Sequence, residues 1–190
     1  MRSPFYFIVE PVNQKRYTNT KSIDNFDLIT STSEENHLAS NRQAIVIEVP
    51  LNYKGPIERG NILLVHHNVF KFYNDMKGRQ KSGKSFFKDN LFFVDNDQFF
   101  MYKKNNKWIS HDRYCFVEPL PKEDSFISKL GTEEPLVGVM KYSNNYLSSQ
   151  GVADGDKICF KPDSEYEFIV DGEKLYRMYT ENITMVLDNG

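Results

Sequence analysis

No run of apolar residues in this 190-residue chain approaches the ~20 needed to cross a bilayer as a helix, so the sequence offers no membrane span of that kind. It has two cysteines, Cys115 and Cys159, each inside an apolar run ("RYCFVEPL", "KICFKP") and neither in a C-x-x-C arrangement. Disulfide scaffolds and cysteine-rich zinc modules are thereby excluded, and both thiols read as small buried hydrophobes. The four histidines have no carboxylates or thiols at metal-ligand spacing; His66 and His67 are adjacent, which in a strand would send them to opposite faces. A net charge of −2 gives no general attraction to nucleic acid or to an anionic surface. No nucleophile-elbow sequence occurs, and long amphipathic helical periods are missing. The N-terminal "MRSPFYFIVEP" is too short an apolar run for a signal peptide, which leads to the expectation of an intracellular, cytoplasmic protein.

What is abundant is short apolar runs rich in Val, Ile, Phe and Tyr, broken every ~8 to 12 residues by Gly, Pro, Asn or Asp. This pattern predicts an all-β fold. Strands are expected at Phe5–Val12, Gln43–Val49, Asn61–Val65, Val69–Tyr73, Leu91–Val94, Gln98–Tyr102, Tyr114–Leu120, Leu136–Tyr142, Lys157–Lys161, Glu167–Val170, Lys174–Tyr179 and Ile183–Leu187. Two stretches depart from the pattern. Residues 13–42 are long, polar and loop-like, with one apolar island at Phe26, Leu28 and Ile29. Residues 74–90 read as an extra basic hairpin arm.

That arm contains "GRQKSGKS" (Gly78–Ser85), which fits the phosphate-loop pattern G-x-x-x-x-G-K-S. The pattern binds phosphate only when a strand feeds it and a helix starts at its Lys-Ser. Here "FFKDNLFFVD" follows, which is strand and turn chemistry, and only five residues separate Ser85 from Leu91, too few for a parallel crossover. The arm is therefore expected to be a hairpin with solvated lysines that binds no nucleotide; no nucleic-acid partner is expected, and nucleic-acid binding by residues 77–88 stands as a third reading of the chain, behind the two given below.

The sequence also repeats itself. "FIVEPV" (Phe7–Val12) returns as "CFVEPL" (Cys115–Leu120), and "IERGNILLV" (Ile57–Val65) returns as "VADGDKICF" (Val152–Phe160). Both later segments place Gly then Asn or Asp ahead of a β run, a turn in which Gly supplies a positive φ. Two copies of one small β unit are expected, residues 1–118 and 113–190, with a strand near Ser110–Pro121 closing the first and opening the second.

Val152–Asp188 resembles the C-terminal half of GroES-type co-chaperonins: a Gly155-Asp156 turn opens a strand, a hairpin turns at Asp171-Gly172-Glu173, and a closing strand follows Thr180-Glu181. The N-terminal copy is similar to the other half, where a first strand leads into a mobile loop bearing three aliphatics and returns as a strand. The triplet falls on Asp27, Leu28 and Ile29, with Asp27 in place of an aliphatic, no glycine pair ahead of it, and Phe26 as a further apolar anchor. "PLNYKGPIER" is too short for the family's roof hairpin, as in phage-encoded members. In the second copy the equivalent of the mobile loop, Pro121–Pro135, is short and carries Phe126, Ile127 and Leu130.

The resemblance implies two tandem GroES-like β-barrels and a non-enzymatic co-chaperonin without cofactor or metal. Such a protein forms a homo-oligomeric ring and caps a GroEL-type ATP-dependent chaperonin through Phe26, Leu28 and Ile29. It encloses an unfolded client, in the host cytoplasm if a bacteriophage encodes it. The alternative is a structural or assembly protein that uses such barrels for oligomerisation and meets no chaperonin.

Overall fold

The structure is a computed structural model that describes residues 2–17, 20–23, 26–29, 40–111, 113–122 and 133–187. The chain is all-β and divides into two compact units, Met1–Lys107 and Trp108–Gly190.

The first unit contains β1 (Phe7–Pro11), β2 (Thr20–Ile23), β3 (Phe26–Ile29), β4 (Gln43–Glu48), β5 (Ile62–Val65), β6 (Phe72–Asn74), β7 (Gln80–Ser82), β8 (Phe86–Lys88), β9 (Leu91–Val94) and β10 (Phe99–Lys104). The strand β11 (Lys107–Ser110) straddles the division. The second unit contains β12 (Tyr114–Pro121), β13 (Glu133–Tyr142), a short helix α1 (Asn145–Ser149), β14 (Lys157–Phe160), β15 (Tyr166–Val170), β16 (Glu173–Tyr179) and β17 (Ile183–Leu187).

The two main sheets have the same plan. In the first main sheet six strands lie in the order β10-β5-β4-β1-β9-β8, with β11 added as a seventh strand beside β10; in the second sheet the six strands lie in the order β17-β14-β13-β12-β16-β15. Numbered by appearance within each sheet, both read sixth, third, second, first, fifth, fourth, and every neighbouring pair is antiparallel.

The equivalence extends to single hydrogen bonds. Gly60 (φ +84°) donates its N–H to Val46 O at 2.8 Å, and Gly155 (φ +96°) donates to Met140 O at 2.7 Å. Val46 N–H then returns to Asn61 O at 2.9 Å, and Met140 N–H to Asp156 O at 2.8 Å. The Asn61 side chain accepts from Glu58 N–H and the Asp156 side chain from Ala153 N–H, at 2.9 and 2.8 Å. This is the bond-back chemistry that makes Gly-Asn and Gly-Asp turn dipeptides.

The Glu-Pro stops also have a physical reason. Proline lacks the ladder N–H, so it sits where its strand has lost one neighbour. Pairing of β1 with β9 ends at Val9 and pairing of β12 with β16 at Val117, two residues before Pro11 and Pro119. On the remaining side Pro11 faces Ala44 and Pro119 faces Gly138, small residues in both copies.

Alternating residues of the first sheet converge on one core that includes Phe7, Val9, Val46, Leu63, Val65 and Phe92, all 2% exposed or less. The second core gathers Cys115, Val117, Met140, Ile158, Phe160 and Met178. Each fully buried Val, Leu or Phe contributes about 1.5–3 kcal/mol, which is what fixes the strand register. Burial pushes the Cys115 thiol up to about 12. It is neutral at pH 8 and unreactive, since the thiolate is the nucleophile. Cys115 should therefore resist a thiol reagent such as iodoacetamide at pH 8 and become modified only when urea unfolds the chain, as read by peptide mass mapping.

Four local expectations are corrected. Val69 and Phe70 are buried but lie in a bend rather than a strand, because Val69 N–H bonds to His66 O at 3.0 Å and turns the chain. For the same reason His66 and His67 are not on opposite strand faces; their rings lie 4.1 Å apart. The arm expected at 74–90 consists of two hairpins, β6 with β7 and β8 with β9. Near Ser110–Pro121, the expected place of a strand shared between copies, β12 (Tyr114–Pro121) has β13 and β16 of the second unit as its partners.

Candidate docking surfaces

The connection from β1 to β4 carries the long polar segment, and its two ends are held together on the first unit. The Asn41 amide nitrogen donates to Val12 O at 2.9 Å and Lys15 O at 2.7 Å, while its oxygen accepts Gln43 N–H at 2.9 Å. Backbone Asn41 N–H bonds to Arg16 O at 2.9 Å, and Tyr17 and Ser40 form an isolated bridge.

Arg16 fastens one side of this base. Its guanidinium donates to Ser82 Oγ at 3.1 Å and lies over the rings of Phe92 and Phe86, 4.8 and 5.0 Å from their centres. Burial pulls the Arg16 pKa down from its ordinary value, partly offset by Tyr17. Ser40 Oγ donates to His67 O at 3.2 Å on the other side. The segment between Tyr17 and Ser40 is thus an arm with a fixed base.

Within that arm β2 and β3 pair as a separate two-stranded sheet. The sequence-predicted docking residues Phe26, Leu28 and Ile29 are all on β3, with Phe26 opposite Ile23, Leu28 opposite Lys21 and Ile29 opposite Thr20. Asp27 stands opposite Ser22. In the second unit the corresponding connection joins β12 to β13, and Phe126, Ile127 and Leu130 lie outside the described residues.

The clamp residues Arg16 and Asn41 are not singled out by sequence reasoning, because their partners are far along the chain. Asn41→Ala removes three side-chain hydrogen bonds at a partly exposed site. It should cost about 1–2 kcal/mol in urea denaturation and speed proteolysis of the arm relative to the sheets.

A second surface lies on the second unit, beside edge strand β17, whose one sheet neighbour among the described residues is β14. A groove of about 490 Å³ is lined there by Tyr146, Leu147, Val152, Ile183 and Met185 among others. Helix α1 forms one wall, started by buried Asn144, whose side chain accepts Leu147 N–H at 2.8 Å and donates to Tyr114 O and Thr180 Oγ1. Tyr146, Met185 and Val186 remain exposed, so an apolar sheet edge is presented to solvent.

The phosphate-loop pattern does not form an anion cradle. Lys84-Ser85 leads into β8, not a helix; Gly83 N–H is bonded to Lys71 O at 2.9 Å and Gly83 O accepts from Phe86 N–H at 3.1 Å. Among the described residues no group of three or more His, Cys, Asp or Glu could hold a metal ion, and no helix is long and apolar enough to cross a membrane. No family model matches the chain, and no curated protein sequence matches it.

Proposed function

We propose that the chain is a co-chaperonin built of two GroES-like β-barrels in tandem, which caps a GroEL-type ATP-driven chaperonin through the β2–β3 arm. The observation that carries this reading is the position of the arm. It is inserted between the first and second strands of a six-strand order that both sheets share, and it bears Phe26, Leu28 and Ile29.

The physics suits a reversible lid. An apolar island that buries about 200 Å² gains roughly 5 kcal/mol gross at 25 cal/mol per Å², and ordering the arm offsets much of that. Each arm binds weakly. In a ring the arms bind together, and effective concentration converts weak contacts into avidity while still allowing release. The clamp at Asn41 and Arg16 fixes where each arm leaves the barrel, and the open edge of β17 supports assembly into the ring. ATP belongs to the partner, and the chain itself performs no catalysis.

Asp27 in the middle of the island favours the second reading, an assembly module that meets no chaperonin, since burying its carboxylate is costly. Size-exclusion co-elution with the chaperonins of the source cell, with and without ATP or ADP, separates the two. Nucleotide-dependent co-elution supports the lid; an oligomer that never co-elutes supports the assembly module.

A further inference from the structure

The hairpin β6–β7 and the strand β8 that follows it in the chain form a strongly basic ribbon of sequence that the lid reading does not use. Residues 71–88 hold six cations, Lys71, Lys77, Arg79, Lys81, Lys84 and Lys88, and one carboxylate, Asp75; they sum to +5, so the remaining residues sum to −7 for the chain's total of −2. The lone carboxylate is engaged in the turn, where Asp75 Oδ1 accepts the N–H groups of Lys77 and Arg79, both at 2.9 Å. Asp75 N–H bonds to Arg79 O and Gly78 N–H to Asp75 O, each at 2.8 Å, so the ribbon is built before any partner arrives. Among the described residues Lys77, Arg79, Lys81 and Lys84 are exposed and make no ion pair.

Aromatic rings stand beside these cations. Tyr73, 48% exposed, is the cross-strand partner of Lys81, and Phe87, 38% exposed, has Lys88 Nζ 5.6 Å from its ring centre. Phe87 also packs on Phe93 at 4.9 Å, which holds its orientation. Exposed flat rings interleaved with unpaired cations match a partner that carries both flat π faces and regularly spaced anionic charge. Charge alone would fit any polyanion; the rings select among them.

We propose that this ribbon binds single-stranded nucleic acid, with bases stacking on Tyr73 and Phe87 and phosphates held by Lys77, Arg79, Lys81 and Lys84. The binding is independent of the co-chaperonin reading and tolerant of base sequence. The whole-chain charge of −2 makes it a local, salt-sensitive event rather than a general affinity.

The test is fluorescence anisotropy of labelled dT20 with the full chain, from 50 to 200 mM salt. Four phosphate contacts give a slope of about −3 in log K against log salt, a loss of roughly 50-fold over that range. Lys81→Glu/Lys84→Glu should weaken binding at least ~10-fold and halve the slope. Tyr73→Ala/Phe87→Leu should weaken it about 10-fold with the slope unchanged, circular dichroism confirming the fold of each variant. The proposal is overturned if dT20 is not bound at 50 mM salt, or if the aromatic variant binds like wild type. It is equally overturned if heparin, duplex DNA or phosphatidylserine vesicles are bound more tightly than dT20.

Discussion

Replacing Leu28 and Ile29 together by aspartate is expected to lower the apparent affinity for the chaperonin at least ~100-fold, while the oligomeric state of the free protein stays as it is. Each substitution removes an apolar side chain worth about 1.5–3 kcal/mol when buried and puts in its place a carboxylate whose burial in an apolar groove costs several kcal/mol more. In the proposed ring the arms would act jointly, so a small loss per arm would multiply across it. Isothermal titration with the nucleotide-loaded chaperonin reads the change. A variant that binds within threefold of wild type would show that β3 is not the docking element.

Gly138→Val should be among the most damaging single substitutions in the second unit, at about 3 kcal/mol or more. A Cβ at Gly138 would lie 2.4 Å from Val117 Cγ1 and 2.8 Å from Glu118 O, and the second of these is backbone that a rotamer change cannot move. Gly138 pairs with Pro119 on one side and Ile158 on the other, so β13 cannot shift without opening two strand pairs. Overpacking of this kind typically costs 1–3 kcal/mol for added methylenes, and a branched side chain against backbone lies at or beyond the upper end. The equivalent position in the first unit is Ala44, also facing a proline, and it already holds one methyl group without exposure. The asymmetry yields a comparison by urea denaturation: Ala44→Gly should cost about 1 kcal/mol, far less than Gly138→Val.

The all-β fold was legible because it rests on period-two burial. Leu91–Val94, in which half-buried and buried residues alternate, is bounded by the Asn90 and Asp95 that flank it, and the Gly-Asn and Gly-Asp turns announce their own hydrogen bonds. Strands that bury little left no such trace. Gln80–Ser82 is polar and exposed, and it is a strand because the Asp75 turn aligns it with β6. Thr20–Ile23 lies inside a polar stretch with no apolar run to announce it. Helix α1 is five residues long, too short to show a helical period, and depends on the buried Asn144 cap.

At the candidate site the apolar island could be read directly from Phe26, Leu28 and Ile29, since it is the one such group between residues 13 and 42. The clamp could not. Asn41 and Val12 are 29 residues apart and Arg16 and Ser82 are 66 apart, and contacts at such separations leave no local pattern. The repeat lies between these cases: four short segments suggested it, and the shared strand order, with matched bonds at Gly60 and Gly155, gives it physical content.

The most direct measurement is the refolding yield of an aggregation-prone client enzyme held by the partner chaperonin, with ATP, in the presence and absence of this chain. The account predicts that the chain raises the yield in an ATP-dependent way and that the Leu28→Asp/Ile29→Asp variant does not. No gain in yield, together with no co-elution with either the host's chaperonin or one encoded by the same genome, would contradict it.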